Sequence, residues 1–384
     1  MNLGWVWLVY QRNSSERKKS IFISTGEISG DFYAGEIIKH LQRRNDLEVF
    51  ALGGENAVQA GAHLVYDTTA IATVGFWELL STLKQWKEAW NQSLSIIQNL
   101  RPAVVVLIDN PGFNLRLARA CYRMDIPVIS FIPPQVWIWN RRRADTLSRY
   151  ADWILTIFPW ERKYFDGGTA QVKWVGHPVL SKIPDPSGFE NGVVTRRIVL
   201  LPGSRKREIY EFLQVMKKVL VQFGENHPNF SYSLVSASDR FTPLMEEQLS
   251  GLPIVIEKRE NLYRVLRGSS LCISCSGTIT LEVALTGIPQ IIVYRLSKLT
   301  YFLARLLLKK RFIGLPNILI GEEICPELIQ NDFNSDNVLQ TMEKILTDTQ
   351  MVQTMQTVSW DIRKTLTQGE TYTQVIEVIE NYLR

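Results

Sequence analysis

Short apolar runs alternate with amphipathic, helix-length stretches along nearly the whole chain, and this alternation limits the fold more than any other feature. In the first half the runs are Ile21–Ser24, Val49–Leu52, Val104–Ile108, Val128–Ile132, Ile154–Ile157 and Val172–Val175. A strand followed by a helix and another strand is the repeating unit of a parallel sheet. The pattern pauses at 178–196, "PVLSKIPDPSGFENGVVTR", where three prolines and two glycines mark a linker. It restarts with "RRIVLLPGSR" and continues through Ser231–Val235, Ile254–Ile256, Leu271–Ser274 and Gln290–Val293. The expected fold class is therefore α/β, two Rossmann-like domains whose parallel sheets face a cleft. The expected boundaries are a flexible extension over 1–18, a first domain over 19–178, a linker over 179–196 and a second domain over 197–359. A C-terminal helix over 360–384 is expected to pack back on the first domain or on a partner chain.

At 384 residues the chain is long enough for two cores. A net charge of +5 and a pI near 8.9 suit an anionic partner without choosing among nucleic acid, phosphorylated metabolite and acidic lipid. Four cysteines argue against a disulfide framework, and Cys272 and Cys275 are read as buried strand thiols rather than a redox pair. The apolar stretch Leu3–Tyr10 is too short to cross a bilayer, but Trp5 and Trp7 beside a basic segment also suit an interfacial anchor. Two helical patterns, 76–100 and 299–312, mix apolar and basic residues. They fit either packing on a sheet or peripheral contact with a membrane.

The turns after the strands carry the chemistry. "STGEISGD" follows the first strand, yet it has neither the G-x-G-x-x-G nor the Walker pattern of a phosphate loop. It presents Glu27 and Asp31 instead. "VVVLIDNPGFN" ends a strongly apolar strand on Asp109, either a carboxylate facing the cleft or a cap of the next helix. In the second half, "LLPGSRKREI" puts Gly203, Ser204 and Arg205 before a basic helix start, an arrangement suited to a diphosphate or to an ordinary solvated turn. "SCSGTITLE" repeats the design with Ser276, Gly277 and Thr278, and sets Glu282 one turn in, where it could meet ribose hydroxyls or simply complement the helix dipole. "GLPNILIGEEICPELIQ" puts Asn317, Glu327 and Gln330 in what reads as a shaped loop rather than a core element. The four histidines are scattered and no D-x-D pair is present, so no metal-ligand spacing exists and no metal or cofactor is expected.

Taken in order, "GEISGD", "IDNPGFN", "VWIW", "FPWE", "VGHP", "LLPGSR", "SGTITLE", "YR" and "LPNIL…PELIQ" resemble the lipid-A-disaccharide synthase family, inverting glycosyltransferases of the GT-B type, family 19. The likeness runs from about residue 20 to the C-terminus. It implies transfer of 2,3-diacylglucosamine from its UDP donor to 2,3-diacylglucosamine 1-phosphate, giving the β-1,6-linked disaccharide 1-phosphate and UDP. It also implies a cytoplasmic enzyme attached peripherally to the inner membrane of Gram-negative bacteria, no nucleic-acid partner and, by family habit, a homodimer. Carried onto this chain, the resemblance makes Asp109 the general base or orienting group for the acceptor 6-hydroxyl and Arg205 the residue that stabilises departing UDP. Gly26, Glu27, Asn317, Glu327 and Gln330 would line the substrate site, and Gly203, Ser204, Arg205, Ser276, Gly277, Thr278 and Glu282 would hold UDP.

The departures cluster in the first half. Where the family reads I-D-A-P-D-F-N, this chain has Asn110 and Gly112, and Pro133, Gln135 and Asn140 replace two serines and an arginine of a later motif. The donor-side motifs are nearly intact. A transferase acting on another lipid acceptor, or a binder of nucleotide sugar or lipid with a dead site, stays open on the sequence.

Overall fold

The apolar runs form strands because β-branched and aliphatic residues fill a sheet covered by helices on both faces. The computed structural model describes residues 18–72, 79–136, 141–184, 195–295 and 312–384. The 1–17 segment, most of the 299–312 pattern, Asn140 and the centre of the proline-rich linker lie outside the described residues. The first sheet comprises β1 (Lys19–Ser24), β2 (Leu47–Gly53), β3 (His63–Asp67), β4 (Val104–Ile108), β5 (Val128–Phe131), β6 (Trp153–Thr156) and β7 (Gln171–Trp174). The second comprises β8 (Thr195–Leu201), β9 (Ser231–Val235), β10 (Ile254–Glu257), β11 (Ser269–Cys275), β12 (Gln290–Tyr294) and β13 (Glu327–Ile329).

Every pairing in both sheets is parallel. The spatial orders are β3-β2-β1-β4-β5-β6-β7 and β10-β9-β8-β11-β12-β13. In each sheet the winding direction reverses once, between β1 and β4 and between β8 and β11. At such a reversal the two connections leave toward opposite faces, and the carboxyl ends of the two strands open a crevice where ligands bind. The turns after β1, β4, β8 and β11 are the four that the sequence motifs single out.

Two strands escape the hydrophobic pattern. β3 is an edge strand with His63, Leu64 and Asp67 exposed, and β13 is a three-residue edge strand. No residue of either strand is fully buried, so both lack the continuous apolar run of a strand in the middle of a sheet. Glu327, expected in a loop, therefore stands on a strand.

Among the described residues the chain divides into two compact units. One joins the N-terminal stretch through Ala72 to Leu80–Val175 and Glu370–Arg384; the other spans Gly176–Gly369. The single helix expected over 360–384 is two helices, the end of Thr349–Leu366 and a separate Thr371–Glu380. The first ends at Leu366 because its C-cap, Thr367, turns extended at φ −80° and ψ 121°. Gly369 follows in the left-handed region at φ 61° before the last helix begins. The last helix buries Tyr372, Val375, Val378 and Ile379, and Lys19 reaches the carbonyl of Leu383 at 2.9 Å.

The helix Leu79–Leu100 turns Trp86 and Trp90 onto Phe113, with ring centroids 5.3 and 5.6 Å apart. Its aromatic stripe thus packs into the first core. Leu83, Lys84 and Lys87 remain on the exposed side. All four cysteines are buried free thiols, and burial raises Cys272 and Cys275 well above the ordinary thiol range.

Candidate active site

The turn after β1 separates its two carboxylates by function. Asp31 is 1% exposed and accepts from the backbone N–H of Gly54 at 2.6 Å, of Asn56 at 2.9 Å and of Ala57 at 3.2 Å. It also accepts from the Asn56 side chain at 2.8 Å. Its role is to satisfy the donors at the start of the helix Glu55–Gln59 and so anchor the turn after β2. Glu27 sits at the N-cap position of the helix Ile28–Leu41, is exposed, and makes no capping bond with its side chain. The preceding Gly26 lies under the side chain of Asn110; a Cβ there would meet Asn110 Nδ2 at 2.1 Å. Glycine at 26 is what lets the Glu27 turn close onto the turn after β4.

That second turn is strained. Asp109 and Asn110 have φ of 51° and 44°, two consecutive non-glycine residues in the left-handed region. Asn110, not Asp109, occupies the N-cap position of the helix Pro111–Arg123. What holds the turn is Asn114, only 4% exposed. Its Nδ2 donates to the carbonyls of Asp109 at 2.8 Å, Ile108 at 3.2 Å and Ser24 at 3.3 Å, and its Oδ1 accepts from Ser24 Oγ at 2.6 Å. One amide thus ties the carboxyl ends of β1 and β4 together. The Asp109 carboxyl is partly buried, and burial first, then the neighbouring Glu27 carboxylate, push it up to about 6. A carboxylate poised there is basic enough to take a proton near neutral pH. Gly112, which departs from the family pattern, faces open space.

In the second unit the turn after β8 uses glycine where the first uses strain: Gly203 has φ of 98°. Arg205 stands at the N-cap position of the helix Lys206–Asn226, and its side chain is 46% exposed. Its Nη1 lies 2.9 Å from Glu208 Oε1, which also accepts from the Tyr294 hydroxyl at 3.1 Å. β11 runs beside β8, and a Cβ on Gly203 would lie 3.4 Å from Cys275. The Gly203–Arg205 turn and the Ser276–Thr278 turn are therefore neighbours. Gly277, at φ 154° and ψ −169°, occupies a region open essentially to glycine alone, and a Cβ there would meet nothing within 4 Å. Its outer side is open to a ligand.

Glu282 is 4% exposed, with Oε2 accepting from Arg259 Nη2 at 2.6 Å and from the Tyr263 hydroxyl at 2.8 Å. Burial resists its ionisation, but Arg259 and Lys182 outweigh that and hold the carboxyl below its ordinary range. His177 lies in the same unit, 3% exposed, and its Nδ1 accepts from the Val179 N–H at 3.2 Å. Burial pushes it down to about 3, so it is neutral at working pH.

The segment 313–330 is a brace. Asn317 is fully buried; its Nδ2 donates to the Cys325 carbonyl and Glu327 Oε1, and its Oδ1 accepts from the N–H groups of Ile324 and Cys325. Two donors and two acceptor sites are all in use, which leaves none for a ligand. Glu327 accepts from the N–H groups of Ile313 at 2.8 Å and Gly314 at 2.9 Å, and burial raises its carboxyl. Ser276 Oγ in turn donates to the Ile313 carbonyl at 3.1 Å. Asn317 and Glu327 thus act on the Ser276 turn through backbone. Gln330 follows β13 at φ 57°, its N–H donating to the Tyr294 carbonyl.

The structure brings Gly26, Glu27 and Asp109 together in the first unit. It brings Gly203, Ser204 and Arg205 beside Ser276, Gly277 and Thr278 in the second. Sequence reasoning missed Asn114, Arg259 and Tyr263, and it named Asp31 without its capping role. Asn114 and Asp31 stand inside quoted motifs, but nothing local says that an Asn will span two strand ends or that an Asp will cap a distant helix. Among the described residues, no group of three His, Cys, Asp or Glu side chains converges as metal ligands would.

Two doubly wound α/β domains, each with small-residue turns and charged side chains at its switch point, define a GT-B-type fold. Solved structures agree on that fold. The UDP-GlcNAc 2-epimerase of Neisseria meningitidis, bound to UDP-GlcNAc, aligns with TM-score 0.62 over 94% of this chain and 100% of its own, at 11% identity. The Methanocaldococcus jannaschii UDP-GlcNAc 2-epimerase aligns with TM-score 0.59 over 94% and 99%, at 13% identity. Sequence comparison is more specific: the family model described as lipid-A-disaccharide synthetase matches residues 21–378. The chain belongs to that family. Lipid-A-disaccharide synthases are similar to it over most of its length: that of Geobacter sulfurreducens is 32% identical, covering 88% of this chain and 89% of its own. That of Syntrophus aciditrophicus is 34% identical over 85% and 88%, and that of Nitrosococcus oceani 31% over 91% and 92%.

Proposed function

We propose that the chain is a glycosyltransferase that moves 2,3-diacylglucosamine from its UDP donor to the 6-hydroxyl of 2,3-diacylglucosamine 1-phosphate. The products are the β-1,6 lipid A disaccharide 1-phosphate and UDP. The observation that carries this reading is the family match over residues 21–378, which takes in all four switch-point turns of both units. In the proposed step the Asp109 carboxylate accepts the proton of the acceptor 6-hydroxyl as its oxygen attacks the anomeric carbon of the donor. The bond from that carbon to the diphosphate breaks with inversion, and the electron pair leaves on UDP. Arg205 and the N–H groups of the 203–205 and 276–278 turns neutralise the departing charge, which lowers the barrier because that charge grows toward the transition state.

Gly26 and Glu27 are assigned to the sugar side of the site and Glu282 to the ribose. Asn317 and Glu327 are assigned to holding the 313–315 backbone rather than to touching substrate, and Gln330 to the turn after β13. Both substrates are acylated, which favours work at the cytoplasmic surface of the inner membrane. Among the described residues no helix is long and apolar enough to cross a membrane.

The test is an assay of purified protein with the two acylated substrates, following UDP release and disaccharide formation together. Wild type should form both products, and Asp109→Asn and Arg205→Ala should each lose turnover by about 10²-fold or more. UDP release without disaccharide would keep the donor and reject the acceptor. Tight UDP binding without turnover would sink the transferase reading.

A further inference from the structure

Glu282 is held in an unusual way for a residue one turn into a helix. Both donors fall on the same oxygen: Arg259 Nη2 at 2.6 Å and the Tyr263 hydroxyl at 2.8 Å reach Oε2. Among the described residues, no donor reaches Oε1. Both donors come from the segment after β10, four residues apart, where a short helical turn Arg259–Asn261 runs into the helix Leu262–Leu266. That segment is itself fixed. Leu262, Val265 and Leu266 are buried against Val199, Leu201, Val235 and Val283. Glu257 at the end of β10 accepts from Asn261 Nδ2 at 2.8 Å and from Arg264 Nη2 at 2.9 Å. A carboxylate gripped by one oxygen from a rigid support presents the other in a set direction.

We propose that Arg259 and Tyr263 are positioning residues, which hold Glu282 so that Oε1 receives the two ribose hydroxyls of the UDP donor. The proposal rests on the reading that Glu282 binds the ribose, and it adds the devices that give that contact its geometry. The physical case is that a buried acid free to rotate would lose orientational entropy on each binding event, whereas a doubly held one has lost it on folding. A fixed, desolvated acceptor also penalises a nucleotide that lacks the matching hydroxyl, because Oε1 is then left buried without a donor. Neither Arg259 nor Tyr263 needs to touch the nucleotide.

Isothermal titration with UDP, 2′-deoxy-UDP and 3′-deoxy-UDP tests this on the full chain, for wild type and for Glu282→Gln, Arg259→Met, Arg259→Lys and Tyr263→Phe. Wild type should prefer UDP over either deoxy nucleotide by about 10-fold or more, and Glu282→Gln should lose most of that preference. Arg259→Met should lose it too, Tyr263→Phe should lose part of it, and Arg259→Lys should restore much of it. Thermal melts identify any variant that fails to fold, and Tyr263→Phe, which removes a single oxygen, keeps the test alive if Arg259→Met does not fold. Preference lost in Glu282→Gln but kept in both Arg259→Met and Tyr263→Phe overturns the positioning role and leaves the ribose assignment standing. An equal loss of affinity for all three nucleotides in Arg259→Met makes Arg259 a direct contact and overturns it as well. No preference in wild type overturns the ribose assignment and the positioning role with it.

Discussion

The turns after β4 and after β11 occupy equivalent places in the two sheets, each at the point where winding reverses, yet their electrostatics are opposite. After β4 the backbone strain falls on two side-chain-bearing residues, Asp109 and Asn110, and the acid has another acid, Glu27, as its charged neighbour. After β11 the unusual conformation is left to Gly277, and the acid one turn on, Glu282, has Arg259 and Lys182 beside it. Burial disfavours the ionised form of both carboxyls. In the first turn a like charge adds to burial and the carboxyl rises to about 6; in the second, cations reverse the outcome and it falls. One topology thus supplies a carboxylate ready to take a proton and a carboxylate that stays ionised to accept hydrogen bonds. The difference comes from the neighbours each turn recruits.

The largest break in that contrast is Asp109→Asn. Turnover should fall by about 10²- to 10⁴-fold while UDP affinity, measured by titration, stays within a factor of about two. Stability should move the other way. The folded-state value of about 6 exceeds the ordinary 3.8, so the native state binds the proton more tightly. The stability gained from that proton is complete below the ordinary value and is lost as pH rises through about 6. Above pH 7 the ionised group costs roughly 1–3 kcal/mol, and Asp109→Asn should therefore melt at a higher temperature than wild type there. A variant that melts lower at pH 8 contradicts the strained-carboxylate picture.

Next in size is Gly277→Val. A β-branched residue at φ 154° costs of order 1–3 kcal/mol, and its side chain would project into the open space beside the turn. UDP affinity should drop by about tenfold or more, with acceptor-side groups untouched; unchanged affinity would remove this turn from the nucleotide site.

Glu27→Gln sharpens the comparison by removing the like charge. The Asp109 carboxyl should then ionise more easily, so the acid limb of kcat/KM should move to lower pH. A pH–rate profile that does not move would mean that burial alone sets the value.

The smallest effect concerns His177. Its value of about 3 lies below the ordinary 6.5, so its stabilising contribution is present above 6.5 and is lost as pH falls toward 3. Between pH 6.5 and 5.5 the loss should reach about 1 kcal/mol, and denaturant titrations of His177→Gln should show a shallower pH dependence over that range.

The motif residues were legible because a switch-point turn leaves a local trace: an apolar strand, small residues, then an amphipathic helix. Asp109, Gly203, Arg205 and Gly277 stand in turns that leave that trace, and the family resemblance adds Gly26. Asn317 and Glu327 are read from the sequence as substrate contacts, while the fold has them bonded to backbone. Their polarity and their Gly/Pro-rich setting look the same whether the partner is a sugar or the backbone of 313–325, and only the hydrogen bonds tell the two apart. Likewise Glu27 and Asp31 are four residues apart on one motif, and nothing in the letters separates the exposed acid from the buried cap.

The sequence by itself determined the class of fold, two parallel α/β domains, and the turns where chemistry gathers, because hydrophobic period and backbone freedom are local properties. Family membership was legible for the same reason, as a series of short motifs in order. Tertiary structure alone decided what each charged side chain does. Asp109 becomes basic, Glu282 is held ionised, and Asn114 joins two strand ends because protonation and hydrogen bonding depend on burial and on partners brought together by the fold. Arg259 lies 23 residues from Glu282 along the chain, and no reading of either segment alone brings them to 2.6 Å.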